Sequence, residues 1–128
     1  MADIPVILFM APEDENGTVL WATEKVIDLL TGGKIIRDAT QRKLAFRRVK
    51  GMSDAGFNAY IPNIVKREQG KTFGVHVGQY RIVGFFDSHA FIMIDWFQKQ
   101  KQRNDKLMTA IYEKVDAIRE TGAWTKIN

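Results

Sequence analysis

The amino-acid sequence predicts a single α+β domain over residues 1–128, and three observations carry that prediction. Its two densest apolar runs, Val75–Phe86 and Ala90–Phe97, flank the polar break Asp87-Ser88-His89, the pattern of a β-hairpin. Stretches with helical apolar spacing stand on both sides of that hairpin. Finally, 45% of the residues are hydrophobic and 27% charged, enough for a sizeable core under a solvated surface. The expected order is a leading strand, a two-helix hairpin, a small antiparallel sheet built on the central hairpin, and a C-terminal helix.

Taken in order, Ile4–Met10 is a short apolar run rich in β-branched residues and closed by Ala11-Pro12, which predicts a buried strand. From Thr18 to Leu30, Val19, Ala22, Val26 and Leu30 recur at helical spacing, and Gly32-Gly33 stops that helix. A second helix is expected from about Ile35 to Val49, with Ile36, Leu44 and Val49 inward, its cations solvated and Gly51 at its end. Between Ser53 and Gly70 no period survives Gly56, Pro62 and Gly70, so a strand with a long loop is expected. The hairpin runs are nearly continuous rather than alternating, so both faces of the hairpin should be covered. Asn104 or Asp105 can cap a final helix to about Glu120, with Leu107, Ile111, Val115 and Ile118 on one face and Gly122 at its end. Trp124 is expected to dock that end onto the body.

Composition narrows the function classes. There is no cysteine, so disulfides and thiolate metal sites are excluded. The apolar run Ile4–Ala11 has no basic residue before it and acids after it, unlike a signal peptide or a membrane span, and a cytoplasmic protein is expected. The net charge of +4 is segregated, with Asp3 to Asp28 mostly acidic and Lys34 to Arg48 and Lys99 to Lys106 basic. Segregation of that kind suits a polyanionic partner. Gly32-Gly33-Lys34 lacks the glycine spacing and the Ser or Thr of a phosphate-binding loop, and no nucleophile elbow or zinc motif is present.

The candidate site residues are cations around the hairpin. Arg81 stands in an otherwise apolar strand, either paired across the hairpin with Asp95 or facing an anion. Lys99, Lys101 and Arg103 follow the second apolar run, and Lys71 precedes the first. Arg47, Arg48 and Lys50 lie on the second helix, as a hydrated surface or as phosphate contacts. His76, near Arg81, is the candidate for proton transfer because imidazole titrates closest to neutral pH. Asp87 and Asp95 lack nearby histidines at a recognisable spacing, so no metal site is expected.

Three segments carry a resemblance. Val49-Lys50-Gly51-Met52-Ser53-Asp54 looks like a Gly-containing turn after a second helix, Val77-Gly78-Gln79-Tyr80-Arg81-Ile82-Val83 looks like a Gly-x-Tyr-Arg-hydrophobic strand, and Phe91–Phe97 with Gln98-Lys99-Gln100-Lys101-Gln102-Arg103 looks like an apolar strand running into a basic segment. Together with the element order, they resemble the RelE/ParE-type toxin superfamily of bacterial toxin–antitoxin systems, including HigB-like and phage-derived members. The resemblance implies a RelE-like α+β domain and, in the RelE- and HigB-like branches, a cofactor-free, metal-independent endoribonuclease that cuts mRNA, commonly on the ribosome. A cognate antitoxin is the implied protein partner, whereas ParE-like relatives inhibit DNA gyrase. Arg81 falls on the arginine of the Tyr-Arg strand, and Lys99, Lys101 and Arg103 fall in the basic segment that contributes phosphate and transition-state contacts. The chain departs from the pattern at Thr72-Phe73-Gly74, where many RelE-like toxins have lysines and Lys71 is the nearest substitute, and at Leu107-Met108, where many have an aromatic or histidine. A non-catalytic nucleic-acid-binding or host-modulating protein and a protein-interaction module remain the alternative readings.

Overall fold

The computed structural model describes residues 3–13, 15–55, 65–69, 71–99 and 105–127. Along the chain run β1 (Ile4–Met10), β2 (Val19–Ala22), α1 (Glu24–Thr31), α2 (Ala39–Ala55), β3 (Val65–Gln69), β4 (Thr72–Val77), β5 (Tyr80–Asp87), β6 (Ala90–Gln98), α3 (Asp105–Thr121) and β7 (Trp124–Ile127). The fold is α+β, with the leading strand, the helix pair, the central hairpin and the C-terminal helix in the expected order. The sheet is larger than the sequence suggests. Among the described residues it has seven strands in the order β3-β4-β5-β6-β2-β1-β7, and it is mixed rather than antiparallel, because β2 lies parallel to β6 and β7 parallel to β1.

The sheet separates two apolar cores. On one face, Val26, Leu29 and Leu30 of α1 and Ala45, Val49 and Met52 of α2 pack over Leu20, Val75, Val77, Ile82, Phe91 and Met93. On the other, Ile111, Tyr112, Val115 and Ile118 of α3 cover Val6, Val83, Phe85, Ile92, Ile94 and Phe97. The central hairpin is therefore covered on both sides, which is why its apolar runs do not alternate with polar residues.

Several boundaries differ from the expected ones for local reasons. Val19–Ala22 is a strand, since Val19 to Ala22 pair in register with Ala90 to Met93. Helix α1 starts only after Thr23, whose backbone is extended (φ −69°, ψ 158°) and whose hydroxyl donates to the Ile94 carbonyl at 2.9 Å while facing the Val26 N–H as a cap. Asp38 starts α2 in the same way, its carboxylate accepting from the Thr40 and Gln41 N–H groups at 2.8 and 3.2 Å. Gly51 does not end that helix. The next turn is anchored by Ser53, whose hydroxyl donates to the Thr18 carbonyl at 2.7 Å. Two residues expected to point inward do not, Leu44 being 51% and Leu107 49% exposed. Val49 points inward as expected, and Ala45 and Met52 share its row in place of Leu44.

The run Val75–Phe86 is not one strand. Gly78 at φ +62° turns the chain between β4 and β5, a conformation that glycine adopts without steric cost. Further along, the β5–β6 register shifts between Val83 and Gly84, so that Ile94 is an extra residue on β6. A Cβ on Gly84 would overlap the Ile92 carbonyl oxygen, so the two backbones approach there in a way only glycine allows. After α3, Gly122 at φ +66° reverses the chain into β7, and Trp124 packs edge-on against Phe85 with ring centres 5.6 Å apart.

Candidate functional site

The short β4–β5 hairpin decides which of the predicted residues meet. Its register places His76 directly opposite Arg81, with Val77 opposite Tyr80 in the next pair. Because Val75, Val77 and Ile82 point into the α1/α2 core, the alternating residues His76 and Arg81 lie on the α3 face. Both are half-buried. The Arg81 guanidinium donates through Nη1 to the Gly78 carbonyl at 2.8 Å and to the Tyr80 carbonyl at 3.0 Å, which orients it at the turn. Phe97 is its partner on the other side, and the Phe97 ring meets Tyr112 of α3 at 5.9 Å.

The other predicted cations divide into groups. Lys99 is exposed and enters next to the same turn, its backbone N–H donating to the Gln79 carbonyl at 2.6 Å. Lys101 and Arg103 lie outside the described residues. Lys71 stands five positions before His76, a separation of about 16 Å at strand rise, and does not join the pair. Arg47, Arg48 and Lys50 are exposed on α2, in the opposite layer from His76 and Arg81. Arg48 still reaches the hairpin, donating to the His76 carbonyl at 3.2 Å. Lys50 is paired with Asp54 at 2.9 Å, and that hydrogen bond holds its ammonium above its ordinary pKa.

Asp95 is not the cross-strand partner of Arg81, since the bulge sets it opposite Val83 and sets Arg81 opposite Phe97. Its buried carboxylate instead receives Lys25 of α1 at 2.5 Å, Lys114 of α3 at 2.9 Å and the Trp96 N–H at 2.7 Å. Burial pushes this carboxyl up, but the hydrogen bonds from Lys25, Lys114 and the Trp96 backbone outweigh it and hold the pKa below 3.8. Asp87 belongs to the far end of the hairpin, opposite Ala90 and five residues of β6 from Asp95, or about 16 Å. Among the described residues no group of three or more His, Asp or Glu is placed to hold a metal ion. His89 is exposed in the hairpin turn. Trp96 packs edge-on against Tyr80 and donates to the Lys25 carbonyl, which makes it part of the core boundary.

One feature gave no sequence signal. Between the first half of α2 and the β4–β5 turn lies a groove of about 270 Å³, walled by Ile36, Leu44, Val77 and Tyr80 and edged by Gln41, Arg48 and Gln79. Tyr80 is fixed there by its ring contact with Trp96, centres 5.7 Å apart, and by its hydroxyl, 3.5 Å from the Ile35 carbonyl. Leu44 forms the rim because its exposed side chain sits beside the turn rather than in the core.

The chain matches no protein-family model and no curated protein. No helix among the described residues is long and apolar enough to cross a membrane.

Proposed function

We propose that this chain is a toxin-like endoribonuclease that cleaves mRNA in the cytoplasm without a metal ion, with the ribosome and a cognate antitoxin as its expected partners. The observation that supports this reading best is the cross-strand pairing of His76 with Arg81 beside the entry of the basic segment at Lys99. An imidazole, able to accept and release a proton, thus sits across from a permanent cation. In-line attack of a ribose 2′-hydroxyl on the adjacent phosphorus forms the O2′–P bond and breaks the P–O5′ bond. His76 takes the hydroxyl proton, the departing 5′ oxygen takes a proton from water, and the products carry a 2′,3′-cyclic phosphate and a 5′-hydroxyl. Arg81, with Lys99 and Lys101, stabilises the charge that grows on the equatorial phosphoryl oxygens.

The test is incubation of the purified protein with mRNA in EDTA, with and without ribosomes, alongside Arg81→Ala, Lys101→Ala and His76→Ala variants of confirmed folding. Cleavage by the wild type that falls at least about 100-fold in Arg81→Ala supports the reading. Intact RNA in both settings with folded wild type sinks it, and salt-sensitive RNA binding without cleavage would make the chain a nucleic-acid-binding protein instead.

A further inference from the structure

The groove between α2 and the β4–β5 turn combines apolar walls with a few polar groups converging at its edge, the composition of a small-ligand site. We infer that it holds one nucleobase of a bound RNA strand and thereby sets where the strand is cut, an inference that rests on the endoribonuclease reading.

Three observations favour a base over other occupants. The Tyr80 ring is held by Trp96 and lines the groove together with the exposed Leu44, so an aromatic and an aliphatic side chain are available for stacking against a base of any identity. Gln41 and Gln79 supply side-chain amides, which carry both donors and acceptors and so can distinguish base edges. The Gln79 amide is oriented, because its oxygen accepts from the Gln98 side chain at 3.0 Å and its NH₂ is thereby directed elsewhere. Arg48 completes the site and gives its edge a positive charge complementary to phosphate.

Connectivity links this groove to the cleavage pair. Val77 and Tyr80 line the groove on one face of the hairpin, and the next cross-strand pair, His76 and Arg81, faces the other side. Arg48 bonds to the His76 carbonyl and Arg81 to the Gly78 carbonyl, so both cations are tied to the same turn. An RNA strand that crosses over Gly78-Gln79 places one base in the groove and a neighbouring phosphate at Arg81.

The experiment titrates the full chain with each of the four ribonucleoside 5′-monophosphates, following backbone amide NMR shifts, in the wild type and in Gln41→Ala, Gln79→Ala and Leu44→Ala, all at exposed positions. The expected result is saturable binding that shifts Gly78, Gln79 and Tyr80, prefers one base at least about fivefold, and weakens at least about fivefold when the reading amide is removed. No saturation with any of the four, or equal affinities unaffected by Gln41→Ala and Gln79→Ala, overturns the inference, as does a groove that responds only to an added poly-glutamate peptide. RNA cleavage with no mononucleotide binding removes this inference alone. Selective mononucleotide binding with no cleavage keeps the base site and removes the ribonuclease reading.

Discussion

Lys114, on the helix that covers one face of the sheet, lies 2.9 Å from Asp95, while Lys25 reaches the other carboxylate oxygen from the helix layer on the opposite face. The Asp95 side chain is 3% exposed and the two lysines 56% and 50%, which makes their removal unequal. Asp95→Ala leaves two ammonium groups that water can reach, at an expected cost of about 2 kcal/mol. Each single lysine-to-alanine change should cost about 1 kcal/mol, because the other lysine still neutralises the carboxylate. Together they strand a buried charge, so the double variant should lose about 3–5 kcal/mol, more than the sum of the singles. Urea denaturation of the four variants measures this coupling.

The same carboxylate gives stability a defined pH dependence. Its folded pKa is depressed below 3.8, so the contribution is fully present above the unfolded value of about 3.9 and declines as pH falls through the folded one. Asp95→Asn should flatten that acid limb and leave the slope between pH 6 and 8 unchanged. Thermal melts from pH 2 to pH 8 test both statements.

Gly84 tolerates no side chain. Gly84→Ala should destabilise the protein by about 3 kcal/mol, since the added methyl group meets backbone atoms of β6 that cannot rotate away. A melting temperature within error of the wild type would contradict the close approach at the bulge.

Ser88 is the one non-glycine residue with positive φ among the described residues, at +54°. Ser88→Gly removes the Cβ clash at some cost in chain entropy, for an expected gain of about 0.5–1 kcal/mol. The change in denaturation midpoint reads it directly.

Two α2 cations should differ in nucleic-acid binding. Arg47 is exposed, whereas Lys50 is already matched by Asp54. Arg47→Gln is expected to lower the slope of log affinity against log salt for single-stranded RNA by about 0.7, and Lys50→Gln by less. Filter binding between low and moderate salt distinguishes them, and equal slopes for all three proteins would remove α2 from the RNA-facing surface.

Much of the frame was legible because it depends on local pattern. The limits of β1, the Asp87-Ser88-His89 turn and the stop at Gly122 follow from short apolar runs and turn formers, and each stands where the sequence places it. What escaped depends on distant partners. Val19–Ala22 satisfies helical spacing, and only its pairing with Ala90–Met93 makes it a strand. Trp124–Ile127 is too short and mixed to signal a strand until β1 lies beside it. In the site, closeness in sequence set His76 near Arg81, but the turn at Gly78 that puts them opposite each other was read as continuous strand, and the fate of Asp95 was not legible either. One extra residue at the bulge moved it out of register with Arg81, and its partners come from helices about 70 residues before it and 19 after it. The groove escaped because helical periodicity assigns Leu44 to the core.

The parallel pairing of Ile4–Ile7 with Trp124–Ile127 also sets an order of events during synthesis. One side of β1 has its neighbour as soon as Val19–Ala22 emerges from the ribosome, while the other stays open until Ile127 has been delivered. For that interval the nascent chain displays a strand edge carrying Ile4, Val6 and Leu8, which another chain can pair with as readily as its own end. Chains that terminate after Gly122 would keep this edge for good, so premature release is an event that would turn this fold toward aggregation.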